Sequence, residues 1–250
     1  MNFEIKNVFL TIEGKSIVKD VSIKVCPGEI VGLMGPNGAG KTSTFNLAVG
    51  NLKPDKGNIY MNGKSIKNLP LPSRARLGLG YLTQEASIFR DLTVKENIDL
   101  ALHNTFSNIA IVRNKREKII NEFNLNKVVD NYGYQLSGGE RRRCEIARAL
   151  SVGRNGPKYL LLDEPFAGID PLAVNDLKKL IIKLSKNGMG ILITDHNVRE
   201  TLLITSKSYV LSEGKILAHG SSDELANNQI VKKFYSVSYT HLTLPTKVRV

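Results

Sequence analysis

The sequence has only two cysteines, no apolar run long enough to cross a membrane, and no long internal repeat. Cys26 and Cys144 stand far apart in a strand-like and a helix-like pattern, so a disulfide framework and a cysteine metal site are excluded. A bilayer span needs roughly 18 or more consecutive apolar residues, and none is present. The opening Met1-Asn2-Phe3-Glu4-Ile5-Lys6 has no signal-peptide pattern, which points to a cytosolic protein. No period of roughly 20–50 residues recurs, which argues against a solenoid. The net charge of +12 would allow an anionic partner, but the basic residues are scattered and only Arg141-Arg142-Arg143 cluster. They read as a lysine-rich surface, and no nucleic-acid partner is expected.

What is present is a phosphate loop. Gly35-Pro36-Asn37-Gly38-Ala39-Gly40-Lys41-Thr42 matches G-x-x-x-x-G-K-[ST] at every fixed position. An apolar strand, Glu29 to Met34, precedes it, and a helix pattern from Lys41 to Val49 follows. Glycines let backbone N–H groups turn toward phosphate oxygens, and the helix start adds its positive dipole end. In this context Lys41 is expected at the β- and γ-phosphates. The Thr42 hydroxyl is expected on Mg²⁺, with Ser43 completing the loop.

The rest of the chain reads as one large α/β domain over residues 1–235. Residues 3–34 are rich in apolar/polar alternation and read as strands joined by turns, and Asn58-Ile59-Tyr60-Met61 before Asn62-Gly63 reads as a strand and hairpin turn. Thr93 with Glu96 fits a capping box, and residues 87–155 read as a mostly helical inserted subdomain. Tyr159-Leu160-Leu161-Leu162 and Gly190-Ile191-Leu192-Ile193-Thr194 read as strands buried on both faces of a parallel sheet. Asp170-Pro171 starts a helix that stops near Asn187-Gly188, and Ser221 with Glu224 opens a late one. Asp163-Glu164 ends the first buried strand: Asp163 is suited to hold Mg²⁺ through its water shell, and Glu164 to polarise an attacking water.

Leu136-Ser137-Gly138-Gly139-Glu140 adds a second anion-binding helix start, at Ser137, Gly138 and Gly139. With it the chain, over about residues 3–235, resembles the nucleotide-binding subunit of an ABC transporter. The resemblance implies a P-loop NTPase core of the ABC type, with an antiparallel β subdomain and an inserted helical subdomain. It implies ATP and Mg²⁺ as cofactors and a homodimer that sandwiches two ATP molecules, the Ser137 turn of one copy meeting the γ-phosphate held by the other. Gln84 matches the glutamine that senses Mg²⁺ and the γ-phosphate, Asp170 ends the loop Ala167-Gly168-Ile169-Asp170 that crosses the dimer interface, and His196 matches the switch histidine. Two inner-membrane permease subunits would dock near Phe89 and Arg90, placing the chain on the cytoplasmic face of the inner membrane.

Within the family, the stretches 84–90, 138–143, 164–168 and 194–201 are most similar to the ATPase subunit of the bacterial lipopolysaccharide export transporter. The branched-chain amino acid importer ATPases stand next. A nucleic-acid-associated ABC ATPase is a weaker alternative, since no coiled-coil insertion or tandem cassette is present. Three features depart from the family. Ile12 stands where an adenine-stacking aromatic is usual, leaving nearby Phe9 as a substitute. The connection 152–157 is slightly long. Residues 236–250 have no helical period, carry Pro245, and resemble translated sequencing-adapter DNA. This tail reads as an artefact in place of the native C-terminus, the alternative being a genuine strand or docking peptide; it is expected to be poorly ordered or loosely packed, and its deletion to leave ATP hydrolysis unchanged.

Overall fold

The computed structural model describes residues 1–228 and Val231. The expectations for 236–250, and for the end of the late helix near Phe234-Tyr235, lie outside the described residues.

Alternating apolar residues build the first layer. β1 (Phe3–Ile12) and β2 (Lys15–Val25) form a long hairpin, and β1 also pairs antiparallel with β4 (Lys56–Met61), which turns at Asn62-Gly63 into the short β5 (Lys64–Ser65). In β1 the buried positions are Phe3, Ile5, Val8 and Leu10, so the alternation slips by one residue after Ile5. A bulge absorbs the slip. Asn7 takes a left-handed φ of 47°, its N–H donates to Ser22 Oγ at 2.8 Å and its amide to Asp20 Oδ1 at 2.8 Å. Such bulges keep one face apolar when the register would otherwise flip it to solvent.

The second layer is a six-stranded sheet. Its order is β10 (Lys215–Gly220), β9 (Lys207–Ser212), β3 (Ile30–Met34), β8 (Gly190–Thr194), β7 (Tyr159–Asp163), β6 (Leu79–Leu82). All neighbours run parallel except β10, which returns antiparallel along β9. The continuous apolar runs are explained by their two faces. Val31, Leu33, Leu161 and Leu192 pack toward α1 (Lys41–Val49) and the antiparallel sheet, in one core with Phe45, Leu47 and Ile23. Ile30, Leu160, Leu162, Ile191 and Ile193 pack the other way, against helices.

Those helices are α3 (Val94–His103), α4 (Ile109–Glu122), α5 (Gly138–Leu150) and α6 (Pro171–Lys186). Thr93 and Glu96 form the capping box that starts α3, and Asp170 accepts from Ala173 N at 2.9 Å to start α6. The pattern from Thr93 onward is broken at Asn104, and a second helix starts with Asn108 as its N-cap. A short helix, α2 (Leu71–Leu77), lies between the two sheets in sequence; α7 (Val198–Ile204) and α8 (Ser222–Asn227) follow the core strands. No helix among the described residues is long and apolar enough to cross a membrane.

This architecture brings the C-terminal ends of β3, β6, β7 and β8 to one edge. That edge is where ligands bind in open parallel sheets.

Candidate functional site

Four loops leaving that edge form a cavity of about 390 Å³, lined by Ile17, Asn37, Gly38, Gly40, Lys41, Thr42, Ser43, Gln84, Glu164 and His196. Gly35, Pro36 and Ala39 complete the loop without lining the cavity. Two glycines are required by the backbone. Gly35 has φ 150° and a Cβ there would lie 2.2 Å from Leu211 O; Gly40 has φ 102° and would meet Ile17 O at 2.9 Å. The loop is therefore pinned between β2, β9 and the turn after it. Lys41 starts α1 and is buried, its Nζ donating to Gly35 O at 2.8 Å and Pro36 O at 3.0 Å. Burial lowers its pKa, while Glu164 and Asp163 act in the opposite direction and favour the charged form.

Two carboxylates face this cation. Asp163 ends β7, is buried, and accepts from Thr194 Oγ1 at 2.7 Å. Burial raises its pKa, the Thr194 bond and Lys41 pulling the other way. Glu164 follows in a left-handed conformation, φ 49°, which costs a side chain about 1–3 kcal/mol. Its carboxylate is held from both sides: Gln84 Nε2 donates to Oε2 at 3.0 Å, and His196 Nε2 lies 2.7 Å from Oε1. Burial raises the Glu164 pKa too, with His196 opposing the shift and Asp163 adding to it.

The available donors near the loop are the Thr42 hydroxyl, the Asp163 carboxylate and the amide oxygen of Gln84, all hard oxygens. Among the described residues no cluster of three His, Cys, Asp or Glu could hold an ion alone. Such a set suits a cation that keeps water and shares its coordination with phosphate oxygens, as Mg²⁺ does.

Other anticipated residues lie elsewhere. Ser137, Gly138, Gly139 and Asp170 are absent from the cavity wall. Ser137 caps α5: its Oγ donates to Glu140 Oε2 at 2.7 Å and accepts from Glu140 N at 3.3 Å. Gly139 is needed for packing, since a Cβ would lie 2.6 Å from Ala173 Cβ at the start of α6. Ile12 and Phe9 do not line the cavity either; Ile17, one turn along the hairpin, is the apolar side chain that does. Phe89 is 47% exposed, with the Arg148 guanidinium 4.7 Å over its ring, at the mouth of a cavity that also includes Tyr81, Ser87 and Leu100. Arg90 is exposed beside it.

A buried network joins these loops, and it corrects the reading of Arg141-Arg142-Arg143 as surface. Arg142 is buried. It donates to Glu164 O at 2.7 Å, Thr83 O at 3.1 Å, and Asp163 O and Pro165 O at 3.3 Å, and it pairs with buried Glu145 at 3.0 Å. Glu145 accepts from Ser87 N at 2.7 Å and Ile88 N at 3.2 Å. Arg148 donates to Ser87 O at 2.6 Å and to Asn97 Oδ1 at 3.2 Å, and Asn97 accepts from Phe89 N at 3.0 Å. Asp195 ties Phe166 N at 3.0 Å to Asn197 N at 2.8 Å. One face of α5 thus fixes the segments carrying Gln84, Glu164 and Phe89. The only sequence signal was the spacing: Arg142 and Glu145 stand in helical phase with apolar Ile146.

A glycine loop between strand and helix, a buried lysine on it, and a paired carboxylate at the end of β7 define a nucleotide-binding protein of the P-loop class. Residues 18–167 match the family described as ABC transporter. The lipopolysaccharide export system ATP-binding proteins LptB of Haemophilus influenzae and of Escherichia coli K12 are each 49% identical to this chain, covering 92% of it and 95% of their own length. A nucleotide-free ATP-binding cassette from an ABC transporter superposes with a TM-score of 0.85 at 26% identity, over 94% of this chain and 99% of that one. The chain belongs to the ABC transporter family, as its ATP-binding cassette.

Proposed function

We propose that this chain hydrolyses ATP to drive lipopolysaccharide export, as the nucleotide-binding subunit of a transporter in the inner membrane. The observation that carries the chemistry is Glu164, held between Gln84 and His196 on the wall of the phosphate-loop cavity. Lys41 and the loop N–H groups neutralise the phosphates. Thr42, Gln84 and Asp163 would hold Mg²⁺, which would supply positive charge against the phosphates. Glu164, kept basic by burial, orients the attacking water, and His196 contacts the γ-phosphate. Phosphoryl transfer needs positioning and charge stabilisation above all, and these groups supply both.

The separation of Ser137, Gly138, Gly139 and Asp170 from this cavity is the reason a second copy is needed. In the two-copy arrangement the α5 start of each protomer closes the ATP site of the other, and Asp170 lies at the interface. The groove beside Phe89 and Arg90 receives a cytosolic segment of each permease subunit, which holds the chain on the cytoplasmic face. The substrate assignment rests on the LptB relatives, which match along nearly their whole length.

The test is co-purification from detergent-solubilised inner membrane. Two permease subunits should accompany the chain, and lipopolysaccharide should stimulate the ATPase of the reconstituted complex. Stimulation by a branched-chain amino acid and its binding protein instead would overturn the assignment.

A further inference from the structure

Beside the Ser137 turn stand two tyrosines that neither the cavity nor the core uses. Tyr132 and Tyr134 stack almost parallel, ring centroids 5.6 Å apart and planes at 7°, yet they are 42% and 55% exposed. Aromatic rings carry large apolar area and are ordinarily covered. Their turn is not loose. Gly133 N donates to Leu92 O at 2.9 Å, Tyr134 N to Arg90 O at 3.2 Å, and Tyr132 N to Gln135 Oε1 at 2.8 Å. Gly133 sits so close to its neighbour that a Cβ would meet Phe89 O at 2.7 Å. The backbone is anchored on one side, and the stacked rings are presented on the other.

The phosphate-loop cavity has the opposite character. Its wall offers Lys41, Thr42, Ser43 and loop N–H groups to a triphosphate, but among the described residues that line it Ile17 is the one apolar side chain, and no Phe, Tyr or Trp is among them. A purine base held there would find little to stack upon.

Tyr134 precedes Ser137 by three residues, at most about 10 Å of chain. That is comparable to the reach of the triphosphate and ribose between a γ-phosphate and its base. The inference rests on the two-copy site proposed above, in which Ser137 meets the γ-phosphate of the ATP held by the other protomer. We propose that Tyr132 and Tyr134 are a purine-stacking platform acting in trans, giving the ATP on the opposite protomer the aromatic contact its own cavity lacks. The platform makes base recognition a property of the closed dimer and not of the single subunit.

The test measures the ATP concentration that half-converts the full chain to dimer, by size-exclusion chromatography, in a Glu164→Gln background that stalls hydrolysis. A base–aromatic stack is worth at least about fivefold in affinity. Tyr134→Leu should raise the ATP requirement by about that factor, Tyr132→Leu with Tyr134→Leu by more, and Tyr134→Phe by less than about twofold. Both positions are exposed, and thermal melting verifies the fold of each variant. An unchanged ATP requirement in the folded double variant overturns the platform and leaves the two-copy site standing. The same result with loss of permease co-purification assigns the rings to permease docking and equally overturns it. Failure of the Glu164→Gln parent to dimerise with ATP overturns the two-copy site and the platform together.

Discussion

Removing Arg142 should damage this protein more than removing half-buried Arg141 of the same helix. The guanidinium is buried, holds four carbonyl oxygens on the segments of Thr83 and of Asp163 to Pro165, and neutralises buried Glu145. Arg142→Met keeps the volume of the stem and deletes every one of those bonds. It leaves a carboxylate buried without its cation, which costs roughly 3–5 kcal/mol. A total stability of about 5–15 kcal/mol makes that a large fraction. For a chain of this size, about 4 kcal/mol corresponds to a melting temperature lower by roughly 8–16 °C. Urea denaturation of the nucleotide-free protein reads the loss directly. Arg142→Met with Glu145→Met should recover part of it, because a buried ion pair replaced by packed apolar groups is often near neutral. The double variant should still hydrolyse ATP poorly, since the Glu164 carbonyl has lost its 2.7 Å donor. A loss below about 1 kcal/mol for the single variant, or additive losses in the double, would refute the view that this pair braces the site.

Glu164→Gln should keep ATP binding and lower turnover by about 10²–10³-fold or more, trapping an ATP-bound dimer; a radioactive-phosphate assay with gel filtration reads both. Mixing Lys41→Ala subunits with Ser137→Ala subunits should restore activity above either alone, because one composite site is then intact; mixtures that never recover would count against the sandwich. Burial raises the pKa of Glu164, so its carboxylate takes up a proton at a higher pH than an ordinary glutamate, and kcat/KM should fall on the acid side with a midpoint above that of an ordinary glutamate. The same shift means the folded state binds protons more readily than the unfolded one, so the free chain should lose stability as pH rises through the window from the ordinary carboxylate value to the raised ones, measurable by urea midpoints across that range. Phe89→Ala should weaken permease co-purification while costing the isolated chain less than about 1 kcal/mol, the scale of its contact with Arg148.

The parts of this fold that a reader could take from the letters are those fixed by local chemistry. A Ser or Thr three residues before a Glu closes a capping box at Thr93, Ser137 and Ser221, whatever packs around it. Apolar runs at 159–162 and 190–194 needed a sheet covered on both faces, and the sheet is covered on both. The illegible parts depend on what one element meets in another. Helix α2 follows Pro70 as its N-cap, and its buried Arg74 donates to Leu47 O at 2.8 Å and Ala48 O at 2.6 Å, closing the far end of α1. Arg142 has the same letters on either side as a surface patch. Only the turns packed against α5 make it a core residue.

Glu164 shows why the site and the fold make opposite demands. Its left-handed backbone, its burial beside Asp163 and its proximity to Asp195 all disfavour a charged glutamate there. Nothing in the packing of β7 requires that side chain, and a glycine would relieve the φ of 49°. What compensates is local: Arg142 and Thr194 hold its backbone, while Gln84 and His196 hold its carboxylate. Two of these holders, Gln84 and His196, are themselves exposed on separate loops. Their grip can therefore change when a ligand or a partner moves either loop, without disturbing the core. The backbone of this carboxylate is thus fixed from the buried side, and its charged end is held from the exposed side.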